Sequence, residues 1–468
     1  MSASVLPPHE VVERALAAAA SANPGGAAVA IAGATSSANL RWANNTLTTN
    51  GVMSGQSLTV VATDPRSDGV AAGVVSREVT DLAGVESLVA DAVAASRTAD
   101  VAEDARDLLP GTGSADFADA PGRTGIDVFA DVATSLGSGF GEAAGRGQRL
   151  YGFVEHTMNT TYLGTSTGVR RRFVQPGGHL STTGKDGDGT NSAWYGQSTT
   201  DFTDVDVTAA VAELDRRLGW GSRRIDLPAG RYETVLPPTS VADLMIYAYW
   251  TAGARDAFDG RTVFSKTGGG TRVGDALSGR PITLRSDPSD PRVACAPFVT
   301  ATSSSSESSV FDNGQDAGPV TWVDRGRLSS LITTRHTAEL TGLANTFAVD
   351  NLVVEVDGGD GDTASMVAPT KRGLLYTSLW YIREVDPQTL LLTGLTRDGV
   401  YLIENGEITG AVNNFRFNES PVDLMSRFSQ AGAAVPAFSR EWGNYFPRVV
   451  APPLRIPDFN CSSVSKAS

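Results

Sequence analysis

From Gly260 onward the apolar residues recur at every second position and keep that period to the end of the chain. A period of two belongs to β-strands, whose side chains alternate between faces; a helix repeats about every 3.6 residues. So long a stretch with this period is expected to be mostly antiparallel β, with short strands and many turns. Two segments within it echo each other. Val323-Asp324-Arg325-Gly326-Arg327-Leu328 and Ile403-Glu404-Asn405-Gly406-Glu407-Ile408 both place an acidic residue before X-Gly and a branched apolar residue after it. X-Gly at such a point marks a two-residue hairpin, because a type I′ turn needs positive φ at both central positions. The expectation is two hairpins of one large sheet.

The rest of the chain divides into two further blocks, giving expected domains at 1–125, 126–228 and 229–468. The first opens with an Ala-rich helix over residues 9–22, stopped by Asn23-Pro24-Gly25-Gly26. Residues 29–32, 40–42, 56–62 and 70–77 read as strands, with a turn at Asn44-Asn45. A second helix covers 81–98, with Leu82, Val85, Val89 and Val93 along one side. Residues 100–121, rich in Asp, Gly and Pro, read as a linker. The second block holds a helix at 129–146, strands at 151–160, 161–167 and 169–175, and a helix at 207–218. The third begins with a strand at 232–236, Pro237-Pro238, and a long helix over 241–258 capped by Thr239 or Ser240. The fold class is therefore α+β: an N-terminal α/β-layer domain, then a large, mostly antiparallel β domain with one long helix.

The net charge of −14 is spread along the chain without a basic block, which argues against nucleic acid as a partner. Two cysteines, Cys295 and Cys461, stand far apart and fit free thiols in a reducing, cytoplasmic setting. The first residues carry acidic groups where a signal peptide needs basic ones, and no apolar run is long enough to span a membrane.

The residues alone do not spell out an active site. The four histidines, His9, His156, His179 and His336, lack the paired spacing of a zincin, and there is no C-x-x-C, P-loop or G-x-S-x-G. His156 on a strand reads as a structural histidine; His179, after Gly177-Gly178, as a loop residue within reach of a cleft; His336 as a solvated residue at a strand end. Asp186-Gly187-Asp188-Gly189 and Asp357-Gly358-Gly359-Asp360 read as turns, since they lack the closing glutamate of a calcium loop. The serine run at 303–309 and Gly268-Gly269-Gly270 read as loops.

Several segments together resemble a known family. Phe311-Asp312-Asn313-Gly314-Gln315-Asp316-Ala317-Gly318-Pro319-Val320, the hairpin at 322–328 and Tyr401-Leu402-Ile403-Glu404-Asn405-Gly406-Glu407-Ile408 are similar to conserved-order segments of the TldD/TldE (PmbA) metallopeptidases. Arg41-Trp42-Ala43-Asn44-Asn45-Thr46-Leu47 resembles that family's N-terminal R-x-E-N-G-x-L, with the Glu and Gly replaced. Residues 266–287 and Leu454-Arg455-Ile456-Pro457-Asp458-Phe459-Asn460 also fit, so the resemblance spans nearly the whole chain. TldD-type members carry H-E-x-x-x-H on the long helix of the third block and a late Cys. These hold zinc, and the Glu acts on metal-bound water.

Counted back from Phe264-Ser265, the two His positions fall near Met245 and Trp250 and the Glu near Ile246. The late Cys position falls around 441–444, which has none. Thioether, aliphatic and indole groups do not replace imidazole on zinc. The resemblance therefore implies the TldE (PmbA) branch: a non-catalytic subunit, without cofactor in this chain, that pairs with a zinc-bearing TldD-type subunit and helps enclose a chamber for unfolded peptides. Two alternatives stay open. One is a stand-alone metallopeptidase built on carboxylates with His179 or His156; the other is a homodimeric peptide-binding protein. The strand around 377–383 reads as apolar on both faces, so a second subunit is expected to cover one of them. Trp380, Tyr381, Trp442, Tyr445 and Phe446 are the expected interface or chamber residues.

Overall fold

A computed structural model describes residues 6–465. Helix α1 (Pro8–Ala22) leads into strands β1 (Ala28–Ala43), β2 (Thr46–Arg66) and β3 (Gly69–Glu78), followed by α2 (Leu82–Thr98). After an irregular stretch come α3 (Ala130–Gly145), β4 (Arg149–Thr165), β5 (Arg170–Lys185), β6 (Ser192–Thr199) and α4 (Val207–Trp220). The six strands form one antiparallel sheet in the order β3-β2-β1-β4-β5-β6. β1 pairs with β4 from Val29 to Trp42, so strands of the expected first and second blocks lie in a single sheet. Helices α1 and α2 pack over one end of it and α3 and α4 over the other, each pair closing its own apolar cluster.

Strands expected as fragments prove continuous. β1 runs through Gly33-Ala34-Thr35-Ser36-Ser37, small and polar residues without strand-like alternation, because partners on both sides hold its backbone. β5 extends through Gly177-Gly178-His179, which places His179 on a strand rather than in a loop. The expected linker at 100–121 is docked: Val101 bridges Ala71, Gly113 bridges Arg170, and Leu108 and Phe117 are buried.

The C-terminal half contains a six-stranded and a ten-stranded sheet, with helix α5 (Pro238–Trp250) packed between strands of both. Its fold class agrees with expectation, but the two echoing hairpins do not share a sheet. Val320–Asp324 and Arg327–Leu328 lie in the six-stranded sheet, Val400–Glu404 and Glu407–Val412 in the ten-stranded one. Both turns have the expected geometry, with positive φ at Arg325 and Gly326 and at Asn405 and Gly406; Asn44 and Asn45 join β1 to β2 in the same way.

The long helix expected over 241–258 is broken. α5 ends at Trp250, and a separate turn, α6 (Ala254–Phe258), follows. The break arises because Ile332 takes over the backbone there, donating to the Ala252 carbonyl (2.8 Å) and accepting from the Ala254 amide (2.8 Å). A side chain at Gly253 would also meet the Glu307 carboxylate, at 2.7 Å from its Cβ. Nor do Thr239 and Ser240 cap α5; their hydroxyls donate across to the carbonyls of Thr377 and Tyr376, and Pro237 occupies the cap position. Cys295 and Cys461 are buried free thiols. Among the described residues no helix is long and apolar enough to cross a membrane.

The two halves are joined at Arg440. Its guanidinium lies over the rings of Trp194 from β6 (5.0 Å) and Trp380 (5.5 Å), donates to Ser378 (2.8 Å) and pairs with Asp398. Asp398 also accepts from Ser192 of β6. Both members of the pair are mostly shielded from water, so removing one strands the other. Arg440→Ala is expected to lower stability by about 3 kcal/mol in urea unfolding, while Arg325→Ala, on an exposed turn, should change it by under about 0.5 kcal/mol.

Candidate functional site

Helix α5 is apolar nearly all round. Val241, Ala242, Leu244, Met245, Ile246, Ala248 and Tyr249 are all buried in the main C-terminal core. Pro at its first turn presets φ and forfeits no helical bond. Met245 and Ile246 are 1% and 0% exposed. Trp250, half-buried, stacks edge-on against Trp442 (5.2 Å) and Phe446 (6.1 Å). Aliphatic, thioether and indole groups therefore occupy the positions to which the resemblance assigned the zinc ligands and base. This donor set does not fit zinc. Among the described residues no three His, Cys, Asp or Glu side chains converge.

One carboxylate interrupts this core, alongside the buried hydroxyl of Ser240. Asp243 is 0% exposed and stands just ahead of Met245 and Ile246 in the helix. Its Oδ1 accepts from the Ser439 hydroxyl and the Glu441 amide (3.0 Å), and its carbonyl accepts from the Trp442 indole (3.0 Å). Oδ2 is buried without a partner. Burial pushes the Asp243 carboxyl up to about 7, against the bonds from Ser439 and Glu441 that favour its charged form. Asp243 thus clasps α5 to the 439–442 turn, the same turn to which the late Cys was assigned. Glu441 extends the link, accepting from the amides of Tyr381 (2.9 Å) and Ile382 (3.2 Å) and from Arg383 (3.1 Å).

Those amides belong to an irregular strand, Leu379–Asp386, and here the expected two-faced apolar strand is corrected. Tyr381 has φ +55° and the pairing slips between Trp380 and Arg383. The slip turns both Leu379 and Ile382 inward, to 0% exposure, and leaves Tyr381 exposed with Arg383 over its ring. The expected interface residues accordingly separate. Phe446 is buried within the chain itself and Trp442 is half-buried against α5. Trp380 is half-buried beneath Arg440 and Arg397. Only Tyr381, at 53%, and Tyr445, at 77%, face outward.

A cleft of about 580 Å³ lies where the C-terminal end of α5 approaches the N-terminal sheet. Asn159 and Thr161 of β4 and Phe173 and Gln175 of β5 form one wall; Trp250, Phe446 and Tyr445 form another. Glu307 stands at its floor, and burial together with the nearby Asp256 charge pushes its carboxyl up to about 7. Side-chain amides, hydroxyls and a protonatable carboxyl among apolar side chains suit the main chain of an extended peptide. Sequence reasoning missed Asp243, Glu307, Asn159 and Gln175. A lone acid inside an apolar helix was a legible signal for the first; the others are brought together only by tertiary contact.

The histidines do other work. His156 is bonded on both sides, to Thr124 (2.6 Å) and the Thr200 carbonyl (2.8 Å), and is structural as expected. His179 faces the opposite side of the sheet, stacked on Phe438 (4.9 Å) and edge-on to Phe153 (5.0 Å); burial pushes it down to about 4. His336 corrects expectation: it lies in helix α7 (Arg335–Thr341), largely shielded, beside Arg106 (3.2 Å) and Glu103 (3.4 Å). In the segment that begins at Phe311, Asp312 is 1% exposed and pairs with Arg335 (2.7 Å), so its role is to brace that turn.

Residues 229–463 match the family model of the PmbA/TldA metallopeptidase C-terminal domain. The whole chain is similar in fold to TldE from Thermococcus kodakarensis, with a TM-score of 0.75 and 14% identity over 96% of this chain and 99% of that one. It is equally similar to a protein described as a modulator of a DNA gyrase from Thermotoga maritima, with a TM-score of 0.74 and 16% identity over 96% and 99%. A protein described in the same way from Bacteroides thetaiotaomicron gives a TM-score of 0.74 and 16% identity over 97% and 98%. No curated protein matches the sequence.

The Asp243 clasp carries a pH signature. Its carboxyl ionises at about 7 in the folded chain, against an ordinary value of 3.8. Between those values the folded chain holds a proton that the unfolded chain has released, so this group's contribution to stability falls as pH rises and the loss is complete above about pH 7. Asp243→Asn keeps an acceptor for Ser439 and Glu441 but removes the titration. Thermal melts should show the wild type losing several degrees relative to the variant between about pH 5 and about pH 8; parallel pH profiles would contradict the assignment.

Proposed function

Because the chain belongs to the PmbA/TldA metallopeptidase family, we propose that it is a TldE-like, non-catalytic subunit that pairs in the cytoplasm with a zinc-bearing TldD-type homologue and helps enclose a chamber for unfolded peptides. The observation that carries this reading is α5. The helix keeps its place at the centre of the core, yet Met245, Ile246 and Trp250 stand where a catalytic member needs imidazoles and a carboxylate. The Asp243 clasp holds α5 against the 439–442 turn by hydrogen bonds. The cleft beside Trp250 supports the chamber role through its row of amides and hydroxyls.

The alternative of a separate metal site in this chain finds no support in the geometry. His156 and His179 lie on opposite faces of the sheet; the first is fully bonded and the second boxed by aromatic rings. The heterodimer interface is proposed to include the exposed Tyr381 and Tyr445, aromatic anchors of the kind that dominate binding energy.

Peptidase assays on unfolded peptides, with this chain alone and with the TldD-type chain of the same organism, test the reading. No hydrolysis is expected alone and full activity together. Sustained hydrolysis by this chain alone, abolished by chelation, would overturn it. Tyr445→Ala should leave the melting temperature of the lone chain unchanged while weakening the complex by about tenfold, or about 1.4 kcal/mol, as read by titration calorimetry.

A further inference from the structure

The cleft beside Trp250 contains a carboxyl that lacks a counter-charge. Among the described residues three acids line the cleft. Asp312 pairs with Arg335 (2.7 Å) and Asp350 with Arg448. Glu307 has neither an ion pair nor a side-chain hydrogen bond among the described residues; burial and the nearby Asp256 charge both favour its protonated form. Asp256 keeps its own cation, Arg261 (3.0 Å). The position of Glu307 is set by the break after α5. Its Cγ and Oε1 lie 3.0 and 2.7 Å from where a Cβ on Gly253 would stand, so the carboxyl rests on the backbone between α5 and α6. An acid shielded from water without a partner costs the fold free energy, and a ligand that brings the missing charge recovers that cost.

We infer that Glu307 receives the cationic side chain of a lysine or arginine in an extended peptide, so that the cleft prefers basic segments. The rest of the lining selects that ligand. The guanidiniums of Arg335 and Arg448 are committed to Asp312 and Asp350, so neither is free to receive an acidic side chain. Trp250, Phe446, Tyr445 and Phe173 supply aromatic surface. Ring faces attract cations, and they also cover the methylene stem that carries an ammonium or guanidinium. Asn159 and Thr161 stand two residues apart on one face of β4, the repeat of an extended chain. Their amide and hydroxyl suit the peptide's main chain while one side chain crosses the cleft to Glu307. The inference rests on the chamber reading and adds to it a preference among peptides.

The test is titration calorimetry on the full chain with short glycine-serine peptides, capped at both ends, that carry one central lysine, arginine or norleucine. Norleucine keeps the stem of lysine without its charge. The lysine and arginine peptides should bind about tenfold tighter than the norleucine peptide, as a charge-assisted hydrogen bond provides. Glu307→Gln should bring the three peptides to one affinity without lowering the melting temperature. Equal affinities in the wild type would overturn the inference. So would a preference that survives in Glu307→Gln, since the net charge of −14 would then carry it. An uncapped norleucine peptide reads the terminal amine; a gain on uncapping as large as that from lysine would overturn the assignment to a side chain. If all the peptides bind alike, the preference alone fails; if none binds, the chamber reading fails with it.

Discussion

The C-terminal half depends on the burial of one helix. α5 is apolar nearly all round, and strands of both C-terminal sheets close over it. Its C-terminal end alone, at Trp250, borders the cleft. Burying Met245 and Ile246 stabilises the core by on the order of 2 kcal/mol each. Asp243 is the exception within the helix. It lies under the core without its own counter-charge, and its bonds to Ser439 and Glu441 fix where the following turn lies. From that turn Arg440 reaches the N-terminal sheet and Glu441 shapes the bulged strand at Tyr381, so the clasp sets the relation of the two halves.

Much of this architecture could be read from particular residues. Asn44-Asn45, Arg325-Gly326 and Asn405-Gly406 announce their turns because few other pairs adopt positive φ twice in succession. The helices α1, α2 and α4 follow from apolar spacing. β1 was harder: its Gly33–Ser37 stretch has no apolar alternation, and it is a strand because β2 and β4 satisfy its backbone on both sides. The same long-range pairing joins strands from either side of 125/126 in one sheet. The break in α5 after Trp250 was hidden as well, because it is imposed by Ile332, distant in sequence.

The candidate site shows a similar division. That α5 lacks His and Glu is visible in a single line of sequence. That Tyr381 breaks the alternation of its strand, sending Leu379 and Ile382 inward together, is not, since a bulge shifts the phase of every residue after it. Phe446 and Trp442, expected at an interface or chamber, pack against α5 within the chain, and Phe446 also lines the cleft. The cleft depends on strands β4 and β5 meeting α5 and residues well beyond it in the chain, a juxtaposition that no local pattern encodes.

The central claim is that this chain holds no catalytic zinc of its own. Its most direct test is metal analysis by plasma mass spectrometry of the purified chain, loaded with excess zinc and then desalted. The account predicts far less than one zinc per chain, because a thioether, an aliphatic group and an indole offer no ligand set. About one zinc per chain, retained through mild chelation, would contradict it.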